Sequence, residues 1–221
     1  MIVPRQPVPV FPLPGVVLFP HAVIPLHIYE LRYRTMVREA LSGERLIAMA
    51  LLEPGWERDY DGSPAFHPLG CLGRFEEVEW LPNDCYDLRL LGLERVRFGQ
   101  TVREFPYRAV RVTPLPQEPY SEDDPLIQIE RRALVDACLR WAAAEAEPDE
   151  ARPESPLGEG LRYEALVNAV CMGVPSSPLE RLNLLAMDSV VRRGHRVREL
   201  LERRLRRRPA VPPPEEGGER N

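Results

Sequence analysis

Phe75-Glu76-Glu77-Val78-Glu79-Trp80, then Pro82-Asn83-Asp84, then Tyr86-Asp87-Leu88-Arg89-Leu90 is the segment that decides the fold. Val78 and Trp80 share one face of an extended chain, and Glu77 and Glu79 share the other. That period of two marks a half-buried strand. Proline, asparagine and aspartate then supply a turn. Tyr86, Leu88 and Leu90 alternate with Asp87 and Arg89. Downstream, Val96 and Phe98 alternate with Arg95 and Arg97, and Val110 and Val112 flank Arg111. Several short alternating strands in quick succession predict a small barrel or curled sheet.

Upstream, Leu46 to Leu52 is a continuous apolar run of strand length, which predicts a strand buried on both faces. Before it, Leu31, Tyr33, Val37, Ala40 and Leu41 recur at helical spacing. One early helix is therefore expected over about 30–41, with Glu30 in its first turn and Ser42-Gly43 as a left-handed stop. The proline-punctuated stretch from Val8 to Pro14 reads as extended, at a sheet edge or bulge where a missing donor does no harm. Residues 53–69 read as a long loop carrying Trp56, Tyr60, Phe66 and His67 among acids and prolines.

Pro114 to Pro119 punctuates the chain, and the period then becomes helical. Ser121 is placed to cap a helix bearing Ile127, Leu134, Cys138 and Trp141. Leu161 to Met172 forms a second helix, closed by Gly173. Ser177-Pro178-Leu179-Glu180 has the form of a capping box opening a third. Asp188 opens a fourth, with Val190, Val197, Leu201 and Leu205 along one face. Residues 147–158 read as a loop, and 209–221 as a disordered tail of proline, glutamate and glycine. The expected class is α+β, with a β-barrel and one early helix over 1–118 and a helical bundle over 119–208.

Composition narrows the chemistry. The 221 residues include 25 prolines, which excludes an all-helical chain. All 29 basic residues are arginine. Without lysine there is no Walker A loop, Ser-Lys dyad, Schiff base or pyridoxal phosphate site. A net charge of -5 argues against bulk nucleic-acid binding. Cys71, Cys85, Cys138 and Cys171 form no C-x-x-C pair, so neither a zinc site nor a disulfide is expected, and a cytoplasmic protein is. No run of about 20 apolar residues is present to span a membrane. Neither a metal nor a cofactor is expected.

Phe11-Pro12-Leu13, Val16-Val17-Leu18-Phe19-Pro20, Ile24-Pro25-Leu26 and Glu30-Leu31-Arg32-Tyr33 together resemble the opening of the Lon protease N-terminal, substrate-binding domain. Gly70-Cys71-Leu72-Gly73, Leu81-Pro82-Asn83-Asp84, Gly92-Leu93-Glu94-Arg95 and Pro106-Tyr107 resemble its later landmarks, in order. The resemblance covers about residues 8–113 and continues more weakly through the helical half. It implies a PUA-like β-barrel, a helical bundle and a role in substrate recognition. With no lysine and no room for the ATPase and Ser-Lys peptidase modules, the chain is similar to the free-standing bacterial members, and protease activity does not carry over.

The expected function is thus non-enzymatic recognition of polypeptide, such as unfolded or damaged protein or a protein partner, through apolar surface. The rival is an RNA-binding PUA-like module. The candidate peptide site is Trp56, Tyr60, Phe66 and His67, since loop aromatics commonly anchor partners. The alternative is that these rings cover an open end of the barrel. Asp59, Asp61, Ser63 and His67 fail calcium-loop spacing, with Pro64 and Gly70 where glycine and glutamate are required. Glu30 and Arg95 are a candidate structural ion pair between helix and barrel. Residues 189–208 hold nine arginines against Glu199 and Glu202. Arg192, Arg193, Arg196, Arg203 and Arg204 in that stretch are a candidate docking stripe, or else a solvated helix face.

Overall fold

The alternation that begins at Phe75 becomes the hairpin on which the rest is built. In a computed structural model describing residues 2–60, 62–145 and 160–207, β4 (Phe66–Trp80) and β5 (Tyr86–Arg103) pair antiparallel, with Val78 opposite Leu88 and Trp80 opposite Tyr86. β1 (Val8–Leu13), β2 (Val23–Ile28), α1 (Leu31–Leu41) and β3 (Leu46–Leu52) precede the hairpin. β6 (Ala109–Pro114), α2 (Pro125–Glu145), α3 (Tyr163–Gly173), α4 (Pro178–Leu185) and α5 (Val190–Arg207) follow it. The fold is α+β.

The sheet order is β2-β5-β4-β3-β1-β6, and β6 returns to pair with β5. The length of β5 makes this possible. Its first half pairs with β2, from Ile28 opposite Tyr86 to Val23 opposite Leu91. Its second half pairs with β6, from Val96 opposite Pro114 to Arg103 opposite Ala109. Five strands therefore close into a barrel, with β2 appended at one side of β5. The seam between β1 and β6 holds two register pairs, Val8 with Val110 and Pro9 with Ala109.

β3 shows why its sequence is apolar throughout. Ala48 and Ala50 join Val8, Val10, Leu72, Val96 and Val110 in one cluster. Ile47, Met49 and Leu51 face the opposite way, into a larger core with Phe11, Phe75, Leu90 and Met36. That larger core runs on without a break into Leu134, Val167, Leu185 and Leu201 of the helices. Strand period ends at Pro114 and helix period begins at Pro125, yet the buried apolar surface is shared. Asn168 of α3 also donates to the Pro20 carbonyl at 3.0 Å.

Several expectations need correction. β1 is not simply an edge: Val8 and Pro9 pair with β6, the Val10 amide donates to the Arg108 carbonyl, and Val10 to Leu13 pair with β3, so Pro12 has a paired strand on one side only. The helix stop is not Ser42-Gly43. Ser42 keeps a right-handed conformation, and Arg45 takes the positive φ of 59°. The long loop ends at Ala65 rather than residue 69, because Phe66 already pairs with Leu52, so Phe66 and His67 belong to β4. A 3-10 turn, Trp56–Asp59, follows Gly55 at φ 92°. Asp124, not Ser121, caps α2 by accepting from the Leu126 amide at 2.9 Å. The capping box of α4 forms as read, between Ser177 and Glu180. The expected loop over 147–158, the tail over 209–221, Asp61 and Arg208 lie outside the described residues.

Candidate functional site

The N-terminus of α1 gathers the side chains of most interest. Glu30 is its N-cap residue, in extended conformation. The Glu30 carboxylate accepts from the Tyr60 hydroxyl at 2.7 Å and from Arg32 Nε at 3.0 Å. Arg32 in turn donates to the Tyr60 carbonyl at 2.9 Å and lies over the Tyr33 and Tyr60 rings. Trp56 meets Tyr60 edge-on, with centroids 5.4 Å apart. Arg32 and Glu30 thus staple the 53–65 loop to the start of the helix. Burial, then Glu30, pushes the Tyr60 hydroxyl up to about 12, so it donates at any physiological pH.

The hairpin tip closes the other side. Asp84, at φ 61°, accepts from Arg34 at 2.6 Å, Arg38 at 3.4 Å and Trp80 Nε1 at 3.1 Å. The indole is pinned by its edge while 70% of the residue stays exposed. Leu31 is likewise 70% exposed and Tyr29 62%. Ile28, Tyr86 and Trp80 form one rung across β2, β5 and β4. Tyr29 and Trp80 therefore follow the same end of the sheet but not the same face: the Tyr29 ring stacks on His27 with centroids 6.1 Å apart, and His27 faces away from Ile28. Tyr29, Leu31 and Trp80 thus form an exposed apolar rim where the end of the sheet meets the start of α1, and the loop carrying half-buried Trp56 and Tyr60 is bonded to that same start. Side chains held in place before contact lose little entropy on binding.

Sequence reasoning missed Tyr29, Leu31 and Trp80. The signal for Leu31 was present: Tyr33, Met36, Val37 and Ala40 are the buried stripe, and Leu31 lies on the opposite side of the helix from Ala40. Trp80 does share a face with Val78, but the core ends before reaching it.

The other candidate residues do not converge here. Phe66 packs edge-on against Phe98 at 5.2 Å beneath the Arg108 guanidinium, as part of the smaller core. His67 is half-buried on β4. Glu30 and Arg95 do not pair. Arg95 is buried and donates to the Leu185 and Pro116 carbonyls and to Asp188. Arg193 cannot belong to a docking stripe, being 0% exposed. Of the other arginines of α5, Arg192 meets Glu118, Arg196 and Arg203 meet Glu199, Arg198 meets Glu130 and Glu202, and Arg206 meets Glu202. Arg204 lies exposed at the last turn.

Ser63 donates to Glu104, and its amide donates to Asp59. Among the described residues no group of three or more His, Cys, Asp or Glu is placed to hold a metal ion, and no helix is long and apolar enough to cross a membrane. The four cysteines are free. Burial raises the Cys71 thiol and pushes Cys171 up to about 12, which keeps both protonated.

The model of the ATP-dependent protease La (Lon) substrate-binding domain matches residues 7–203. The chain belongs to the Lon substrate-binding domain family. It is 24% identical over 200 residues to Lon protease 2 of Myxococcus xanthus, covering 90% of this chain and 24% of that protein. It is 30% identical over 102 residues to the Lon protease of Desulfosudis oleivorans, covering 46% of this chain and 12% of that one. The chain thus spans a quarter or less of these Lon proteases. Among solved structures, the Lon N-terminal domain protein from Xanthomonas campestris superposes with a TM-score of 0.59 at 25% identity, over 92% of this chain and 99% of that one. The N-terminal domain of Mycobacterium avium complex Lon protease gives 0.65 at 15% identity, over 89% and 98%, and supports the fold alone. The Lon substrate-binding domain is, by its family description, a substrate-recognition module.

Proposed function

We propose that this chain is a non-enzymatic module that recognises unfolded or damaged polypeptide through the apolar rim at the start of α1. The observation that carries the reading is the exposure of Leu31, Trp80 and Tyr29 at one end of the barrel while hydrogen bonds fix their neighbourhood. Large exposed apolar side chains grouped together mark interaction surface rather than solvated surface. Aromatic anchors on ordered elements commonly dominate such contacts. The family's description supports substrate recognition, and the free cysteines fit a cytoplasmic setting.

The test is titration of a fluorescently labelled, reduced and carboxymethylated protein into the full chain, at low and high salt. Replacing Leu31 and Trp80 together with alanine weakens binding by about tenfold or more, at about 1.4 kcal/mol per decade. Both side chains are exposed, so melting temperature stays near that of the parent. Equal binding by the double variant removes the rim from the reading. Absence of client binding, combined with RNA binding that falls steeply with salt, replaces it with nucleic-acid recognition.

A further inference from the structure

β2 ends the sheet. It pairs with β5 along one side, and no strand among the described residues pairs with the other. The Gly92 amide donates to the Ala22 carbonyl at 2.8 Å, so Ala22 faces β5. In an antiparallel strand the N–H and C=O of one residue point the same way, and the direction alternates along the chain. Ile24, Leu26 and Ile28 therefore face β5 with Ala22. Val23, Pro25 and His27 present their backbone outward. Pro25, which has no N–H, sits where the existing ladder needs none. These same three residues are the exposed ones of the strand.

We propose that the outer edge of β2 accepts one short extended client segment as an added strand, and that it selects segments bearing lysine or arginine. This rests on the polypeptide-recognition reading above. The outward row offers the Val23 and His27 amides and the Val23, Pro25 and His27 carbonyls, the pattern an extended backbone matches and a helix does not. Beside it, Glu79, Asp87 and His27 form one rung across β4, β5 and β2. His27 Nδ1 and Asp87 Oδ1 lie 2.6 Å apart. Glu77 and Arg89 complete a shallow groove of about 590 Å³ on this face. An incoming cationic side chain next to His27 reaches Asp87 one strand further in, whereas an acidic one meets three carboxylates, Glu77, Glu79 and Asp87, against one arginine, Arg89. The same carboxylates oppose a second copy, because edge-to-edge pairing of two β2 strands brings two acidic faces together. The six-residue length and Pro25 limit the added strand to a short segment, which guards the edge against open-ended pairing.

The experiment uses the full chain and three synthetic peptides: alternating valine and lysine, alternating valine and glutamate, and the lysine peptide N-methylated at the alternate amides on one side. Affinity is measured by titration, and amide hydrogen exchange at Val23 and His27 by NMR. The lysine peptide binds about tenfold or more tightly than the other two and slows exchange at Val23 and His27. Val23→Pro, which removes an outward donor and no ladder bond, weakens the lysine peptide to the same degree. Equal binding of the methylated peptide, or protection that omits Val23 and His27, overturns the proposal. So does protection that grows with protein concentration without peptide, which makes a second copy the occupant. The carboxymethylated protein is titrated in parallel. If it binds and the lysine peptide does not, the edge proposal fails and recognition at the rim stands. If neither binds, both fail.

Discussion

Among the described residues Arg193 is the largest side chain sealed from solvent, and the groups it bonds are neutral. Its Nε donates to the Leu184 carbonyl at 3.0 Å, Nη2 to Met187 at 2.7 Å, and Nη1 to Asn168 Oδ1 at 2.7 Å. Arg95 reaches the next carbonyl, Leu185, at 3.1 Å from the barrel side. Two guanidiniums from different halves of the molecule thus converge on carbonyls at the end of α4, where Arg193 adds a second donor to the Leu184 carbonyl that the Met187 amide already reaches. Burial, then the neighbouring Arg95 charge, lowers the Arg193 pKa, though arginine stays protonated. Each buried carbonyl stranded by a truncation costs about 1–3 kcal/mol. Arg95→Ala therefore lowers unfolding free energy by about 3 kcal/mol or more in urea titration. Asp188→Asn costs less, because Asp188 is 51% exposed, the amide oxygen still accepts from Arg95, and no carbonyl is stranded. Equal losses would place the value of Arg95 in its ion pair instead. This role was hidden in the sequence. Arg193 sits in a run of arginines whose other described members are exposed or half-buried, and residue type alone does not separate a carbonyl clamp from a charged face.

Elements announced by local rules were legible: the β4–β5 hairpin by its alternation, β3 by its unbroken apolar run, α4 by its capping box. Elements set by distant partners were not. The 53–65 loop is fixed by Arg32 and Glu30 of α1, and that contact has no signature in the loop's own residues. The join of α3 to the barrel is of the same kind. Glu164, in the first turn of α3, meets His21 at 3.7 Å and Gln117 at 3.0 Å. Burial alone raises its carboxyl. The bonds from His21 and Gln117, with Arg193 nearby, outweigh that and bring it to about 2 from 4.5. A depressed carboxyl stabilises the fold above its unfolded pKa and loses that contribution as it protonates. The stability gap between the parent and Glu164→Gln, read as urea midpoints, is therefore full above about pH 4.5 and closes as pH falls toward 2. A gap that persists through that range assigns the role of Glu164 to packing instead.

At the scale of the whole molecule, the change of period at Pro114–Pro119 marks where strands give way to helices, but not a division of the core. Phe11 and Leu201 belong to one buried cluster, and Arg95 and Asn168 each carry a bond across the boundary. Residues 1–118 made alone expose the apolar face that α3 and α4 cover, and strand Arg95. That fragment binds a hydrophobic dye and shows no cooperative thermal transition, whereas the full chain unfolds in one. A cooperative transition in the fragment would establish an independent barrel. Lysine is absent from all 221 residues, so no part of this chain supplies a Walker A lysine or a Ser-Lys dyad.

The seam of the barrel has a kinetic consequence. β4 and β5 are neighbours along the chain and meet early, whereas Val8 and Val110 must find each other across nearly the whole strand sequence, the kind of contact whose loop-closure entropy is met late. With two register pairs to hold it, the β1–β6 seam is the last joint to form and the first to part. Transient opening of the native barrel, and the proteolysis that follows opening, therefore begins at Val8–Pro9 and Ala109–Val110 while the β4–β5 hairpin stays shut.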